Sequence, residues 1–156
     1  MNKDNQSSGT PKLAIFVSVY HLVLLLVSGV ATLYAEYSSG YLGDHLILVT
    51  VLSFGTIGGV INASRYVIFA VRHGTYESRR FLWQTLTPLH GAILASIGYV
   101  LYQGGIITLT SGVGNARTYK YFIMAVSFMI GFSSELFIKR LIKATESLFG
   151  ESNGLD

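Results

Sequence analysis

The chain has 156 residues, 51% hydrophobic and only 12% charged, with a mean hydropathy of +0.50. Soluble domains carry about 25% charged residues, so this composition places the chain in the membrane class, with room for one compact bundle and no separate soluble domain. A net charge of +3 is too small to argue for nucleic acid, and the absence of cysteine excludes disulfide frameworks, cysteine-based zinc sites and thiol chemistry.

Residues 1–12 are polar, with Ser, Gly and Pro, and read as a short flexible tail. The first apolar run, 13–35, contains no Asp, Glu, Lys or Arg. At 1.5 Å per residue it is long enough for the ~30 Å hydrocarbon core. It is also longer than the apolar stretch of a secretory signal and has no small-x-small cleavage site, so it reads as an uncleaved span. The second run, 45–71, is interrupted by Asn62, Ser64 and Arg65; the third covers 81–102 and the fourth 121–138. No alternation of period two recurs, so a membrane barrel is excluded and helices remain as the way to satisfy the backbone in lipid. The expected fold is all-α: an integral membrane bundle of four transmembrane helices, 13–138. Residues 139–156 follow as a basic amphipathic helix and a disordered tail. Along 136–149, Leu141, Ile142, Thr145, Leu148 and Phe149 share a face, with Lys139, Arg140, Lys143 and Glu146 opposite.

Orientation follows from the distribution of Lys and Arg. Lys3, Lys12, Arg72, Arg79, Arg80, Lys139, Arg140 and Lys143 cluster in the two tails and the 72–80 loop, whereas the 36–44 loop has none. Both termini and the 72–80 loop are therefore expected to be cytoplasmic, in a multi-pass protein of the cell inner membrane. Trp83, Tyr76, Tyr99, Tyr102, Tyr119 and Tyr121 fall near the span boundaries, as an aromatic belt requires.

Two embedded ionisable residues stand out. Arg65 lies seven residues before Arg72 and Glu135 four before Lys139, about 10 Å and 6 Å inside the ends of their helices. Charges at such depth face a partner or a water-filled path. The matching depths predict an ion pair that either locks helices two and four or lines a vestibule. Asn62, Ser64, His21 and His90 are the other intramembrane polar residues. Pro88 is expected to bend the start of helix three and free a carbonyl, with His90 nearby in a polar cavity. Gly55-x-x-x-Gly59 and the series Gly91, Ala95, Gly98 put small residues on single helix faces, a device for close packing either within the chain or between subunits. Two histidines without supporting acids make no metal site, and no phosphate loop, HExxH or GxSxG pattern is present. Neither a cofactor nor an enzyme activity is expected.

The stretches SRYVIFAVRHGTYESRRFLWQTLTPLHGAILASIGYVLYQGGI and GFSSELFIKRLIKATESLFG carry a further pattern. The spacing of Ser64-Arg65, Trp83, Pro88, Gly91, Tyr99, Gly104-Gly105 and Gly131-Phe132-Ser133 before Glu135 resembles small bacterial multi-helix membrane proteins of predicted conflict and stress systems. These include the three-helix membrane modules associated with prokaryotic YEATS-like domains. The resemblance covers about residues 53–150 and singles out Arg65, Trp83, Pro88, Gly91 and Glu135. It implies a membrane effector or sensor working with a cytoplasmic protein partner. This chain departs from the pattern in its fourth span and in lacking a YEATS-like domain.

The first functional expectation is a small homo-oligomeric effector in the lipid bilayer that forms or gates a pore or perturbs the membrane, with antiviral or stress defence as its setting. The alternative is a non-conducting anchor or regulatory subunit, using the 72–80 loop and the basic C-terminal helix. A small-substrate transporter ranks third, because the two halves of the chain show no inverted repeat.

Overall fold

The computed structural model describes residues 10–38, 45–76, 80–105 and 116–149. The expected tails at 1–9 and 150–156, the loop residues 39–44 and 106–115, and Arg79 lie outside the described residues. Five helices follow in order: α1 Thr10–Ser38, α2 His45–Arg72, α3 Phe81–Gln103, α4 Ala116–Phe132 and α5 Ser134–Phe149. Three of them are long and apolar enough to cross a membrane, over Lys12–Ser38, Leu46–Arg72 and Phe81–Gln103. Large apolar side chains on their outer faces are exposed, among them Leu22, Leu26, Leu33, Ile68, Leu82 and Val100. Outward-facing apolar residues of this kind suit hydrocarbon, while small and polar groups are prominent among the buried residues.

α2 is the hub, packing on α1, α3 and α4. Its glycines explain how three neighbours fit around one helix. A Cβ placed on Gly55 would fall 2.6 Å from the Ala95 Cβ and 2.7 Å from the Gly91 carbonyl oxygen. One on Gly59 would fall 2.8 Å from the Pro88 Cα, and one on Gly131 would collide with the Gly55 carbonyl. Gly55, Gly91 and Gly131 thus bring α2, α3 and α4 into backbone-to-backbone contact within one chain. Gly98 is spent differently, giving room to the side chains of Ile130 and Phe137.

The fourth apolar run departs from expectation. One helix was predicted through 121–138 and onward to residue 149, but α4 stops at Phe132 and α5 leaves at 93°. The Ser133 N–H still bonds to the Met129 carbonyl, at 2.9 Å, and the Phe137 N–H bonds to the Ser133 carbonyl, at 3.0 Å, so the turn is confined to Ser133 and Ser134. Two features account for it. Gly131 is pinned against Gly55, and α5 carries Glu135, Lys139, Arg140 and Lys143, all exposed, which a straight continuation would drag along the apolar bundle.

The position of this break shapes everything around it. Gly58 of α2 packs against Phe128, Gly131 and Phe132, and α2 continues fourteen residues beyond Gly58 to Arg72, about 21 Å. α4 therefore covers only one half of α2. At the Arg72–Arg80 end, called the basic end below, α1, α2 and α3 pack without it.

Candidate functional site: a polar recess below the Ser133 break

The space that a straight α4 would fill is a recess of about 200 Å³. Its walls are Asn62, Ala63 and Tyr66 of α2 and Arg80, Trp83, Gln84 and Thr87 at the start of α3; Ser134 and Glu135, the first turn of α5, form its roof. The helix periodicity explains the grouping. Residues 62 and 66 lie one turn apart on α2, and 80, 83, 84 and 87 follow the three-and-four spacing of a single face of α3.

Gln84 anchors the site. It is 1% exposed, and it connects three elements through two different groups. Pro88 lies inside α3 and has no N–H to donate to the carbonyl four residues earlier. That carbonyl belongs to Gln84, and His21 of α1 supplies the missing donor from Nε2 at 3.2 Å. Because a carbonyl only accepts, Nε2 carries the hydrogen, and Nδ1 is left to accept from the Ser64 hydroxyl of α2 at 3.0 Å. Tyr20 adds a parallel bond, donating to the Thr85 carbonyl at 3.2 Å. The Gln84 side chain is held from the α2–α3 connection, where Tyr76 donates to Oε1 at 2.9 Å. Among the described residues the Gln84 Nε2 has no hydrogen-bond partner. Tyr76 is itself buried, and that burial, reinforced by Tyr66, pushes its phenol above the ordinary value of 10.0.

The two embedded charges are separated in role. Arg65 is exposed and lies over the Phe132 ring, 5.4 Å from its centroid. There it makes a cation–π contact at the C-terminal, negative end of α4. Glu135 stands in the first turn of α5 and lines the recess. Among the described residues no salt bridge joins Arg65 to Glu135; the expected ion pair is replaced by an aromatic contact for one partner and a helix N-terminus for the other. Arg80, by contrast, reaches the recess, with its guanidinium 5.1 Å from the Tyr66 centroid.

The remaining predicted residues distribute as follows. Asn62 lines the recess, while Ser64 and His21 form the hydrogen-bonded chain behind it. His90 points outward, its ring 5.9 Å from that of Trp83, so the polar group beside Pro88 is His21 and not His90. Arg72, Lys139, Arg140 and Lys143 are exposed. Gln84, Tyr66, Thr87 and Ser134 were not anticipated. One sequence signal for Gln84 existed, since it stands four residues before a proline inside a helix. Among the described residues no three His, Asp or Glu side chains converge.

A second recess, about 220 Å³, lies at the opposite end among Ala35, Leu46, Ile47, Thr50, Tyr119, Lys120 and Ile123. It is mainly apolar in lining, and a salt bridge between Lys120 and Glu36 stands beside it. The chain matches no protein-family model, no curated protein and no solved structure.

Proposed function

We propose that this chain is the protomer of a small homo-oligomeric membrane protein that forms or gates a pore, with the recess below Ser133 as part of its polar path. The observation that supports this reading is the half-length α4. It leaves Asn62, Gln84, Thr87 and Glu135 on a concave wall inside the apolar segment of the chain. Polar groups at such a depth need water or another protein surface, because hydrocarbon offers no hydrogen bonds. One bundle of this size cannot enclose an aqueous channel, so several copies are required, the recess of each facing the shared axis. In this reading α4 and α5 form a broken fourth span, and the Lys/Arg distribution sets the basic end and both termini on the cytoplasmic side.

Purified protein reconstituted in liposomes should dissipate a membrane potential or release an entrapped dye, and cross-linking should give a closed oligomer. Liposomes that stay tight under every trigger tried, with a monomer on cross-linking, would overturn the proposal.

α5 favours a second reading, a non-conducting anchor or regulatory subunit. Lys139, Arg140 and Lys143 are exposed on it together with Leu136, Ile138 and Ile142, an amphipathic surface suited to a membrane face or a cytoplasmic protein. Removing residues 139–156 should then abolish recovery of a partner while insertion persists; recovery that survives the deletion would discard this reading.

A further inference from the structure

We infer that the recess is a binding site for a small zwitterionic ligand, one carrying an anionic oxygen group and an amine a few bonds apart. Phosphoethanolamine, free or as a lipid headgroup, is the type. This goes beyond the pore reading and shares only the wetted recess with it; the site does not require conduction.

The anionic half is called for by the Gln84 donor. Gln84 is 1% exposed, and its amide stands with Oε1 toward the Tyr76 hydroxyl, leaving Nε2 with no acceptor among the described residues. An unsatisfied buried donor costs about 1–3 kcal/mol, so natural chains seldom keep one without an occupant. Around it stand the Arg80 guanidinium, the Asn62 amide and the N-terminus of α5 at Ser134. α5 is 16 residues long, and the first N–H groups of such a helix lack intrahelical acceptors and favour negative charge. A phosphate or carboxylate in the recess would lie against these groups.

An anion alone would meet the Glu135 carboxylate, which lines the same cavity. An amine alone would meet Arg80 and the positive end of α5. A ligand with both groups resolves the conflict by putting its amine on Glu135. The rings of Tyr66 and Trp83 on the adjoining wall add a surface that cations favour. The volume of about 200 Å³ admits a headgroup-sized molecule and excludes a macromolecule.

Trp83 is the single tryptophan of the chain and lines the recess, so its fluorescence reports the site directly. The full chain in phosphatidylglycerol nanodiscs should give a saturable change in Trp83 emission with phosphoethanolamine. Glycerol phosphate, which lacks the amine, and ethanolamine, which lacks the phosphate, should each bind about tenfold more weakly or worse. Glu135→Gln, a change at an exposed side chain, should remove the preference for phosphoethanolamine over glycerol phosphate. Gln84→Glu keeps an acceptor for Tyr76 but removes the N–H donors, and should weaken both phosphates; circular dichroism checks that it folds, and Glu135→Gln decides the matter if it does not.

The source of the ligand is read by changing the disc. A response lost when phosphatidylethanolamine is added to the disc assigns the site to a lipid headgroup, whereas one that persists assigns it to a soluble compound. No saturable change in any disc, equal responses to all three compounds, or an unaltered preference in Glu135→Gln would each overturn the inference. Tight liposomes with a responsive Trp83 would remove the pore and leave the site; leaky liposomes with a silent Trp83 would do the reverse.

Discussion

The two ends of the bundle are built from the same helices by opposite means. At the end away from the Arg72–Arg80 connection, α4 runs beside α2 and α3, and the space between them is filled by Val51, Ala95 and Ile123 with Tyr99, Tyr102 and Tyr119 packed around them. At the basic end α4 is missing. One side of α2 there is closed by an apolar cluster of Ala14, Val17, Val67, Ala70 and Tyr76, and the other side is the polar recess. Where four helices are present, cohesion comes from contact area. Where three are present, the apolar cluster closes one side only, and a few directional bonds around Gln84 hold the rest. Contact area is forgiving of small errors, but the Ser64–His21 chain to the Gln84 carbonyl and the Tyr76 bond to the Gln84 side chain each need well-aligned geometry.

The largest effect is expected where the two regimes meet. Gly131→Leu would force α4 off α2 at the Gly55 carbonyl and should destabilise by about 3 kcal/mol, measured as a lower thermal midpoint in detergent. Gly29→Ala, with nothing within 4 Å of its added methyl, should change stability by less than about 0.5 kcal/mol. Equal losses at the two glycines would erase the distinction between close-packed and open helix faces.

Next comes the proline-freed carbonyl. His21→Ala should cost about 1–2 kcal/mol by leaving the Gln84 carbonyl without a donor. In a Pro88→Ala background the helix regains its own N–H at that point, so the same His21→Ala change should cost measurably less. A double-mutant cycle with no coupling would show that His21 does not serve that carbonyl.

The Tyr76 bond gives a pH signature. Burial holds the phenol above its ordinary value, so the folded chain binds the proton more tightly than the unfolded chain. The stability it contributes is full below about pH 10 and falls as pH rises through the raised folded value. Tyr76→Phe should flatten that alkaline loss; an unchanged alkaline profile would place the titrating group elsewhere.

The smallest loss expected from breaking an interaction belongs to the opposite end. Lys120 and Glu36 form a salt bridge between partly exposed side chains, so Lys120→Ala should cost no more than about 0.5–1 kcal/mol and less in high salt. A larger, salt-insensitive loss would mean that this end also relies on directional bonds.

Much of the organisation was legible because hydrophobicity is a local property. The long apolar runs at 13–35, 45–71 and 81–102 match α1, α2 and α3 to within a few residues, and the amphipathic stripe from residue 136 onward is carried by α5. The glycine spacing announced close approach, and Pro88 announced a freed carbonyl. The partners were not legible. Charge complementarity directs Arg65 toward Glu135, yet its guanidinium lies on the Phe132 ring, because the chain turns between the two positions. His90 is nearer to Pro88 in sequence, but α3 directs it outward while α1 brings His21 to the carbonyl.

By itself, then, the sequence determined which segments are helices, which are apolar enough for a membrane and where small residues permit contact, since each of these depends on neighbours within a turn or two. The tertiary structure alone decided that α4 ends at Phe132, that the Gln84 Nε2 is left without a partner among the described residues, and that Glu135 and Arg80 share one cavity. The charged residues of α5 are legible in the sequence, but they do not by themselves place the turn at Ser133. It arises because Gly131 is held against Gly55, seventy-six residues away in the chain, and the recess is the space left by that contact.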